Sequence, residues 1–277
     1  MRLPPIFFHY FKSPLPYART LELQNFIHAT QLSARHRGEA VHDYLLLLEH
    51  RPVFTAGRRQ TEEETHDEEL RLKQMGADYE HTQRGGQLTY HGPGQIVGYP
   101  ILDLSRWQPA MSVRDYICCL QRTLQEHLKT VHGIIHAPSE HTGVFLDDGD
   151  GRGAKTKLAS IGVQVRHRLT THGFAFNVTQ EPLTWFNTVV ACGLADVKAG
   201  SIAGRSQVHA TADVSVESEI PRLVGSFGKV FKRDMELMEP KSDDIVGQAI
   251  LEIEKKAMEI DLSEPPPTEP LLKPSTN

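Results

Sequence analysis

The sequence lacks several features that would assign it to large classes of protein. It has no basic excess, because 30 Lys and Arg residues stand against 35 Asp and Glu residues, a net charge of −5. A balance of this sign argues against a general nucleic-acid or anionic-membrane binder. The longest aliphatic run, Leu45 to Leu48, is far shorter than the roughly 18 apolar residues of a membrane-spanning helix. No repeat is visible at periods of about 20 to 50 residues.

Cysteine is also scarce. The 277 residues include 3 cysteines, and Cys118 and Cys119 are adjacent. So few thiols cannot form a disulfide framework, which indicates a reducing compartment. The composition is ordinary for a globular protein, since 39% of the residues are hydrophobic and 23% are charged. Length and composition therefore predict one or two globular domains with a substantial core.

The spacing of apolar residues predicts a mixture of strands and helices. We expect strands at 6–11, 42–49 and 95–102, near Ile134 and Val144, and at 157–169 and 173–178, with extended chain at 79–90. Helices are predicted at 17–36, between Gln60 and a cap at Gly76, from Ser112 to about Gly133, around Trp185, and at 217–231 and 242–260.

Few of these helices separate consecutive strands. The sequence therefore predicts one α+β domain over residues 1–235, with mixed, mostly antiparallel sheets flanked by helices. Residues 236–277 are expected to form an extension that holds one helix and then a disordered tail, because its end is polar and contains the proline run 265–267.

The densest chemical signal lies between Arg84 and Gln95. RGGQLTYHGPGQ places four glycines and a proline within twelve residues. A Gly-Gly step exposes backbone N–H groups to a ligand, and Arg84 and His91 supply donors beside it. The same composition also fits two hairpin turns with polar rims. The segment alone leaves both interpretations open.

Three further residues carry chemistry only in combination. Lys157 lies on an alternating strand, while His172 and Cys192 each precede a glycine. Singly, each is typical of a solvated lysine, a structural histidine or a small core cysteine. A cysteine nucleophile needs its thiolate, which a free pKa of about 8.5 makes scarce at neutral pH. A nearby ammonium favours the charged sulfur, so Cys192 and Lys157 form a chemically coherent pair.

The order of the motifs resembles one family. RGGQLTYHGPGQ, KLASIG, HGFAFNV and ACG follow one another, and EHRPVFTAGR (49–58) precedes them. This set is similar to the lipoyl(octanoyl) transferase family over roughly residues 6 to 232. The resemblance implies the single-domain α+β fold of biotin and lipoate protein ligases. It also implies transfer of an octanoyl group from acyl carrier protein to a lysine of a lipoyl domain, with no nucleotide step and no cofactor.

The resemblance assigns roles residue by residue. Cys192 matches the acyl-thioester nucleophile, and Lys157 matches the lysine that lowers the pKa of that cysteine. Substrate-binding segments match Arg84, Gly85, Gly86, Gln87, Leu88, Thr89, Tyr90 and His91, then Ser160, Ile161 and Gly162, then Gly173, Phe174 and Ala175, with His172 as a further candidate. Ala191 replaces the family's usual proline, and Gly200-Ser201-Ile202 replaces a Thr-Ser-Leu-like step. These departures leave fine geometry and acyl-chain selectivity open.

The resemblance also implies partners. The expected donor is octanoyl-acyl carrier protein, and the expected acceptors are the lipoyl domains of 2-oxoacid dehydrogenases and the glycine cleavage H protein. No nucleic acid or membrane is expected to bind. Acyl carriers are acidic, so Arg58, Arg59 and Arg84 are candidates for a basic face. The first 21 residues contain no acid before Glu22, which is weakly typical of mitochondrial targeting; a bacterial source would instead imply the cytoplasm.

Two other functions remain open at this point. One is an ATP-dependent lipoate ligase of the same fold, although HGPGQ and Cys192 favour transfer. The other is a catalytically silent carrier-binding homologue, suggested by Ala191 and the altered step at Gly200. A metal-binding protein is disfavoured because the 15 histidines are scattered along the chain without a close Cys/His cluster. No metal site is expected.

Overall fold

The computed structural model describes residues 3–147, 155–189, 197–208 and 214–263, with side chains described as far as residue 259. The strands are β1 (Ile6–Tyr10), β2 (Asp43–Leu48), β3 (Val53–Ala56), β4 (Asp78–His81), β5 (Thr89–His91), β6 (Gln95–Ile101), β7 (Val144–Asp147), β8 (Lys155–Arg166), β9 (Leu169–Asn177), β10 (Val197–Ala199) and β11 (Met235–Leu237). The helices are α1 (Tyr17–His36), α2 (Glu62–Gln74), α3 (Val113–His132), α4 (Glu181–Phe186), α5 (Val216–Phe231) and α6 (Ile245–Ser263).

Within this part of the chain the strands form two mixed sheets. The larger sheet has the order β10-β8-β9-β6-β2-β1-β11, and β7 also pairs with β8. Its centre is antiparallel, from β2 through β6 and β9 to β8. Its outer pairs, β1 with β2 and β11 and β8 with β10, are parallel. The smaller sheet has the order β4-β3-β5. The predicted α+β architecture is confirmed.

The large sheet is buried on both faces. Along β2, Leu45 and Leu47 pack in the cluster that contains α3 and α5. Leu46 and Leu48 point the other way, into the cluster that contains α1 and α6. Successive strand residues face opposite sides of a sheet, so the unbroken leucine run covers both. The small sheet packs separately, with α2 and α4.

Most predicted elements are confirmed, and local capping explains several boundaries. The Ser112 hydroxyl accepts a hydrogen bond from the backbone N–H of Asp115 at 3.1 Å and begins α3. Gly133 ends that helix with φ +69°, a conformation that glycine adopts at little cost. Gly76, with φ +93°, follows α2 in the same way. The apolar face of α3 meets the sheet through Tyr116 and Leu120 and their neighbours one turn apart.

Two predicted strands need correction. The strand near Ile134 is wrong, since that stretch has only an isolated bridge from Ala137 to Phe145. Ile134 is apolar because it packs in the main core. The single strand predicted at 157–169 ends instead at Arg166. His167 and Arg168 have φ of 52° and 64° and form a two-residue turn before β9. The short strands β3, β10 and β11 were not predicted, because three or four residues are too few to show alternation.

The chain beyond residue 235 packs into the same core as far as it is described. β11 spans the predicted boundary between residues 235 and 236 and pairs in parallel with β1. The predicted helix is present as α6, whose Val246 and Ile250 are buried beside α1. His9 Nε2 lies 2.9 Å from Glu254 Oε1. The tail predicted beyond this helix lies outside the described residues.

Three buried polar side chains, His127, His132 and Glu219, form a hydrogen-bonded cluster, here called the polar clasp, that joins α3 to α5. The Nε2 atoms of His127 and His132 lie 2.7 and 2.9 Å from the same Glu219 oxygen, Oε2. All three side chains are fully buried. Burial tends to raise the pKa of the Glu219 carboxyl, but the hydrogen bonds from both imidazoles outweigh it and lower the pKa to about 2. The fold thus brings Glu219 to two histidines that precede it by 92 and 87 positions, and the three side chains are of types that can ligate a metal ion. Among the described helices, none is long and apolar enough to span a bilayer.

Candidate functional site

A cavity of about 300 Å³ lies where the glycine-rich segment meets β8 and β9. Its walls come from eight parts of the fold. The cavity is lined by Tyr17 of α1, Arg58 and Arg59 after β3, residues 84–87 with Thr89 and His91, Val97 and Tyr99 of β6, Val113 and Ile117 of α3, His141 and Thr142, and residues of β8 and β9. The site is therefore assembled by the tertiary fold from segments spread over some 160 positions of the sequence.

Most of the predicted site residues meet at this cavity. Arg84, Gly85, Gly86, Gln87, Thr89, His91, Lys157, Ser160, Ile161, Gly162, His172, Gly173, Phe174 and Ala175 line it. Leu88 and Tyr90 instead pack in the core of the small sheet, where Tyr90 stacks on Trp185. They alternate with Thr89 and His91, so β5 sends neighbouring side chains to opposite faces. Cys192, the predicted nucleophile, lies outside the described residues.

Arg84 stabilises the conformation of the glycine loop (residues 84–87) through hydrogen bonds to its own backbone. Its guanidinium donates to the Thr55 hydroxyl at 2.7 Å and to the carbonyls of Gly85 and Gln87 at 3.0 and 2.9 Å. The side chain is only 6% exposed. Arg84 therefore does not belong to an exposed basic face, which corrects that part of the sequence prediction. Arg58 and Arg59 are exposed at the cavity.

Glycines let the loop and the strands approach closely. The Gly85 N–H donates to the Val163 carbonyl at 3.1 Å, which docks the loop on β8. A Cβ at Gly162 would lie 2.8 Å from the Gly85 oxygen, and one at Gly173 would lie 2.1 Å from the Gly98 oxygen. Gly162 and Gly173 also face each other across β8 and β9. Backbone packing at this wall thus requires the absence of side chains.

Lys157 reaches the cavity from β8. Its ammonium nitrogen lies 5.6 Å from the centre of the Phe145 ring, a favourable cation–π distance. Its backbone is paired with Ala199 of β10. Val197 begins β10 and follows Cys192 by five positions. The strand that carries the predicted ammonium is therefore next to the strand that follows the predicted nucleophile.

One wall of the cavity is polar but uncharged. Tyr17 stacks on His91 with ring centres 6.2 Å apart, and its hydroxyl lies 3.3 Å from His172 Nδ1. Behind them, His50 Nε2 lies 2.6 Å from the Tyr99 hydroxyl. Burial lowers the pKa of His50 to about 4, that of His172 to about 3 and that of His91 well below its ordinary value. These imidazoles are neutral at neutral pH.

His172 occupies an unusual backbone position for a strand residue. Its φ is +57°, a region that few residues other than glycine adopt. The Gln24 side chain accepts a hydrogen bond from its backbone N–H at 2.7 Å. Local strain of this kind clusters at functional sites, and here it lies on the cavity wall immediately before Gly173.

A chain of buried hydrogen bonds leads away from His91. His91 Nδ1 lies 2.8 Å from Gln95 Oε1, and Gln95 Nε2 donates to Asn177 Oδ1 at 2.8 Å. Asn177 Nδ2 then donates to the Gly200 carbonyl at 2.9 Å. The Gly200 N–H donates in turn to the Lys157 carbonyl, also at 2.9 Å.

Several residues at the site were missed by sequence reasoning. Gln95 and Asn177 lie inside the motifs HGPGQ and HGFAFNV, which is the sequence signal that marks their positions. Tyr17, His50 and Tyr99 had no comparable local signal. They reach the site because α1, β6 and the turn after β2 converge there.

Comparison with known proteins places this site in a family. The profile of the family described as "Lipoyl protein ligase A/B catalytic domain" matches residues 16–228. The chain is 34% identical over 221 residues to a protein of Koribacter versatilis named "Octanoyltransferase", covering 78% of this chain and 82% of that protein. It is 38% identical over 187 residues to a mitochondrial octanoyl-[acyl-carrier-protein]:protein N-octanoyltransferase of Danio rerio, covering 68% and 76%.

Solved structures agree at the level of the fold. A bipartite lipoate protein ligase from Thermoplasma acidophilum superposes with a TM-score of 0.60 at 14% identity, covering 100% of both chains. A lipoate-protein ligase A bound with ATP gives a TM-score of 0.54, also at 14% identity, with 95% coverage of each chain.

The fold and the sequence match together define the class. The chain belongs to the lipoyl protein ligase A/B catalytic domain family and, within it, to the lipoyl(octanoyl) transferases. Octanoyltransferases are acyltransferases, so the chain is an enzyme of that class.

Proposed function

We propose that the protein transfers an octanoyl group from octanoyl-acyl carrier protein to a lysine of lipoyl domains, through a thioester on Cys192. The observation that carries this proposal is the single cavity that Lys157, the glycine loop and the paired glycines of β8 and β9 line together. The named activities of the octanoyltransferase relatives support the choice of acyl group.

The reaction divides into two steps that need no nucleotide. In the first, the Cys192 thiolate attacks the thioester carbonyl of the donor, the new carbon–sulfur bond forms, and the carrier thiolate leaves. Exchange of one thioester for another is nearly balanced in free energy. In the second, the neutral amine of the acceptor lysine attacks the Cys192 thioester, loses a proton and releases the cysteine thiolate. The product amide is more stable than the thioester.

Lys157 has two roles in this scheme. As an ammonium it favours the thiolate at Cys192 by Coulomb attraction. It also takes part in moving the proton that the acceptor amine loses. The pairing of β8 with β10 supports this assignment, because β10 begins five positions after Cys192.

The cavity suits an uncharged acyl chain with a polar head. Val97, Ile117, Ile161, Val163 and Phe174 give it an apolar wall. Each buried CH₂ contributes about 0.8 kcal/mol to binding, or about a fourfold change in affinity. Backbone N–H groups of the glycine loop are candidates to stabilise the oxyanion. Removal of such a donor typically raises the barrier by about 3 to 4 kcal/mol.

The direct test is a mass measurement on the intact protein. Incubation with octanoyl-carrier is expected to add one octanoyl group, and Cys192→Ala to abolish the addition. Lys157→Ala is expected to slow alkylation of Cys192 at pH 7, because less thiolate forms, whereas Lys198→Ala serves as a neighbouring control. An adduct that survives in Cys192→Ala would refute the nucleophile, and an unchanged alkylation profile in Lys157→Ala would refute the pair.

The alternatives predict different results in the same assay. An ATP-dependent ligase would modify a lipoyl domain only when ATP is added. A silent carrier-binding homologue would form no acyl adduct at all. Transfer to a lipoyl domain without ATP distinguishes octanoyl transfer from both.

The partners follow from the same assignment. Acceptors are the lipoyl domains of 2-oxoacid dehydrogenases and the glycine cleavage H protein. Arg58 and Arg59, exposed at the cavity, are candidates to bind the acidic carrier.

We also propose a mitochondrial location, because relatives in Danio rerio and Drosophila melanogaster are named mitochondrial. Fusion of the first 25 residues to a fluorescent reporter tests it, and a cytoplasmic signal would contradict it.

A further inference from the structure

Gln95 and Asn177 are buried amides with no direct part in the proposed chemistry. They are 1% and 4% exposed. Gln95 begins β6, Asn177 ends β9, and the two residues are partners in the antiparallel register of these strands. Buried amides must satisfy several hydrogen bonds at once, so their partners define which way each amide faces.

The groups at the ends of the hydrogen-bond chain determine which group donates and which accepts in each bond. The Gly200 carbonyl can only accept, so Asn177 presents its NH₂ group there, at 2.9 Å, and its oxygen toward Gln95. The Gln95 NH₂ group donates to that oxygen at 2.8 Å and also lies 3.3 Å from the Tyr90 carbonyl. The Gln95 oxygen is then left to face His91 Nδ1, at 2.8 Å.

This direction selects one tautomer of His91. An oxygen acceptor at Nδ1 requires that Nδ1 carry the proton. Burial keeps the ring neutral by lowering its pKa. His91 therefore lines the cavity with an unprotonated Nε2, which can accept a hydrogen bond but cannot donate one.

The other end of the chain holds the strand beside Lys157. Asn177 binds the 200–202 stretch twice, through its side chain to the Gly200 carbonyl and through its own carbonyl, which accepts from the Ile202 N–H at 3.0 Å. The Gly200 N–H donates to the Lys157 carbonyl at 2.9 Å. Asn177 also borders a small cavity together with Lys157 and Ala199.

We propose that Gln95 and Asn177 are positioning residues that set two parts of the acyl-transfer site at once. They hold His91 in its Nδ1–H tautomer on the cavity wall, and they hold β10, which follows the Cys192 segment, against the strand that carries Lys157. The inference rests on the proposed function. Its physical basis is that thioester exchange needs reacting groups in close register, and an error of about 1 Å can cost about a hundredfold in rate.

Isosteric substitutions test each link. Asn177→Asp can still accept from Gln95 but presents an oxygen instead of an NH₂ group to the Gly200 carbonyl. Gln95→Glu can still accept from His91 but loses its donor to Asn177. Asn177→Ser is a second variant without added charge. Gln31→Glu is the matched control, because Gln31 is equally buried and donates to the His42 and Ile101 carbonyls at 2.8 and 3.1 Å, away from the cavity.

The rate measurement is single-turnover acylation of Cys192 by octanoyl-carrier. We expect Asn177→Asp, Asn177→Ser and Gln95→Glu to lower the maximal rate about tenfold to a hundredfold. The half-saturating donor concentration should stay within a factor of about two, because the acyl-binding wall is intact. The pH profile of Cys192 alkylation should shift in the Asn177 variants. Gln31→Glu should lose thermal stability only.

A second readout is independent of acyl transfer. Nitrogen NMR of histidine-labelled protein should show His91 in the Nδ1–H form, and Gln95→Leu should release that preference, with Gln31→Leu as its control. If the wild-type protein forms no adduct on Cys192, the proposed function fails while this signature still tests the hydrogen-bond chain. The inference is overturned if His91 is in the Nε2–H form. It is equally overturned if the Asn177 variants behave like Gln31→Glu in rate and alkylation profile.

Discussion

The histidines around the cavity and those between α3 and α5 are similarly buried but differ in their partners. His50, His91 and His172 have hydroxyl, amide and backbone partners. His127 and His132 share a carboxylate, that of Glu219. Both imidazoles, on α3, hydrogen-bond to the Glu219 carboxylate, on α5, so the clasp joins two helices. Burial and neutral partners leave the cavity histidines uncharged on the wall of the proposed acyl-binding cavity.

Removal of the clasp carboxylate should have the largest effect. Glu219→Ala removes the carboxylate that two buried imidazoles share, and the free energy of unfolding should fall by about 3–5 kcal/mol. Urea denaturation measures this change. Glu217→Ala, in the same turn but exposed, is the control and should change stability by less than about 0.5 kcal/mol. If Glu219→Ala lost octanoyl transfer per folded molecule, the clasp would not be purely structural, and its contrast with the cavity histidines would be wrong.

Crowding the cavity wall should affect the reaction more than stability. In Gly162→Ala the new Cβ would lie 2.8 Å from the Gly85 oxygen, so the glycine loop must move. We expect Cys192 acylation to slow by at least about tenfold, since displaced oxyanion donors and a displaced acyl slot both raise the barrier. Mass spectrometry of the acyl adduct over time measures the rate. Acylation at the wild-type rate would show that the loop does not contribute.

The two histidine groups should also differ in how stability depends on pH. The pKa of His50 falls from an ordinary 6.5 to about 4 on folding, so the unfolded chain binds more protons between these values. His50 therefore contributes stability above about pH 6.5 that is lost as the pH falls toward 4, at up to about 1.4 kcal/mol per pH unit. His50→Asn should flatten this part of the profile.

For the carboxylate of the clasp the window lies lower. The pKa of Glu219 is lowered to about 2, so its contribution is present above about pH 4.3 and is lost as the pH falls below it. Glu219→Gln should flatten that part of the profile. Thermal unfolding from pH 3 to 7 tests both variants. If stability depended on pH identically in His50→Asn and Glu219→Gln, the two pH windows would not be distinct.

The smallest expected effect is a gain. Gly225 lies within α5 and has open space where a Cβ would be added. Gly225→Ala should stabilise the protein by about 0.5–1 kcal/mol through helix propensity, without a change in acylation. Urea denaturation and the adduct assay measure the two parts. A destabilised variant would indicate a packing role for this position. The opposite results expected for Gly162 and Gly225 separate close backbone approach from ordinary helix geometry.

Local patterns were sufficient to predict most of the fold. The boundaries of α1 and α3 follow from apolar spacing and from caps such as Ser112 and Gly133, which act within a few residues. The turn at His167 and Arg168 was missed, because alternation continues into β9 when the next strand begins with a buried leucine. β10 was missed because three residues are too short to show a pattern, yet it lies beside Lys157.

The sequence by itself determined the chemistry available: a glycine loop, Lys157, Cys192 and the order of the motifs, all of which depend on neighbours along the chain. Tertiary structure alone decided which side chains share a wall. The Arg84 side chain points inward and hydrogen-bonds its own loop. Tyr17 and His50 pack against His91 from separate elements, and Tyr99 packs against His50. Such contacts depend on how strands and helices pack across long sequence separations, and no short-range pattern records that packing.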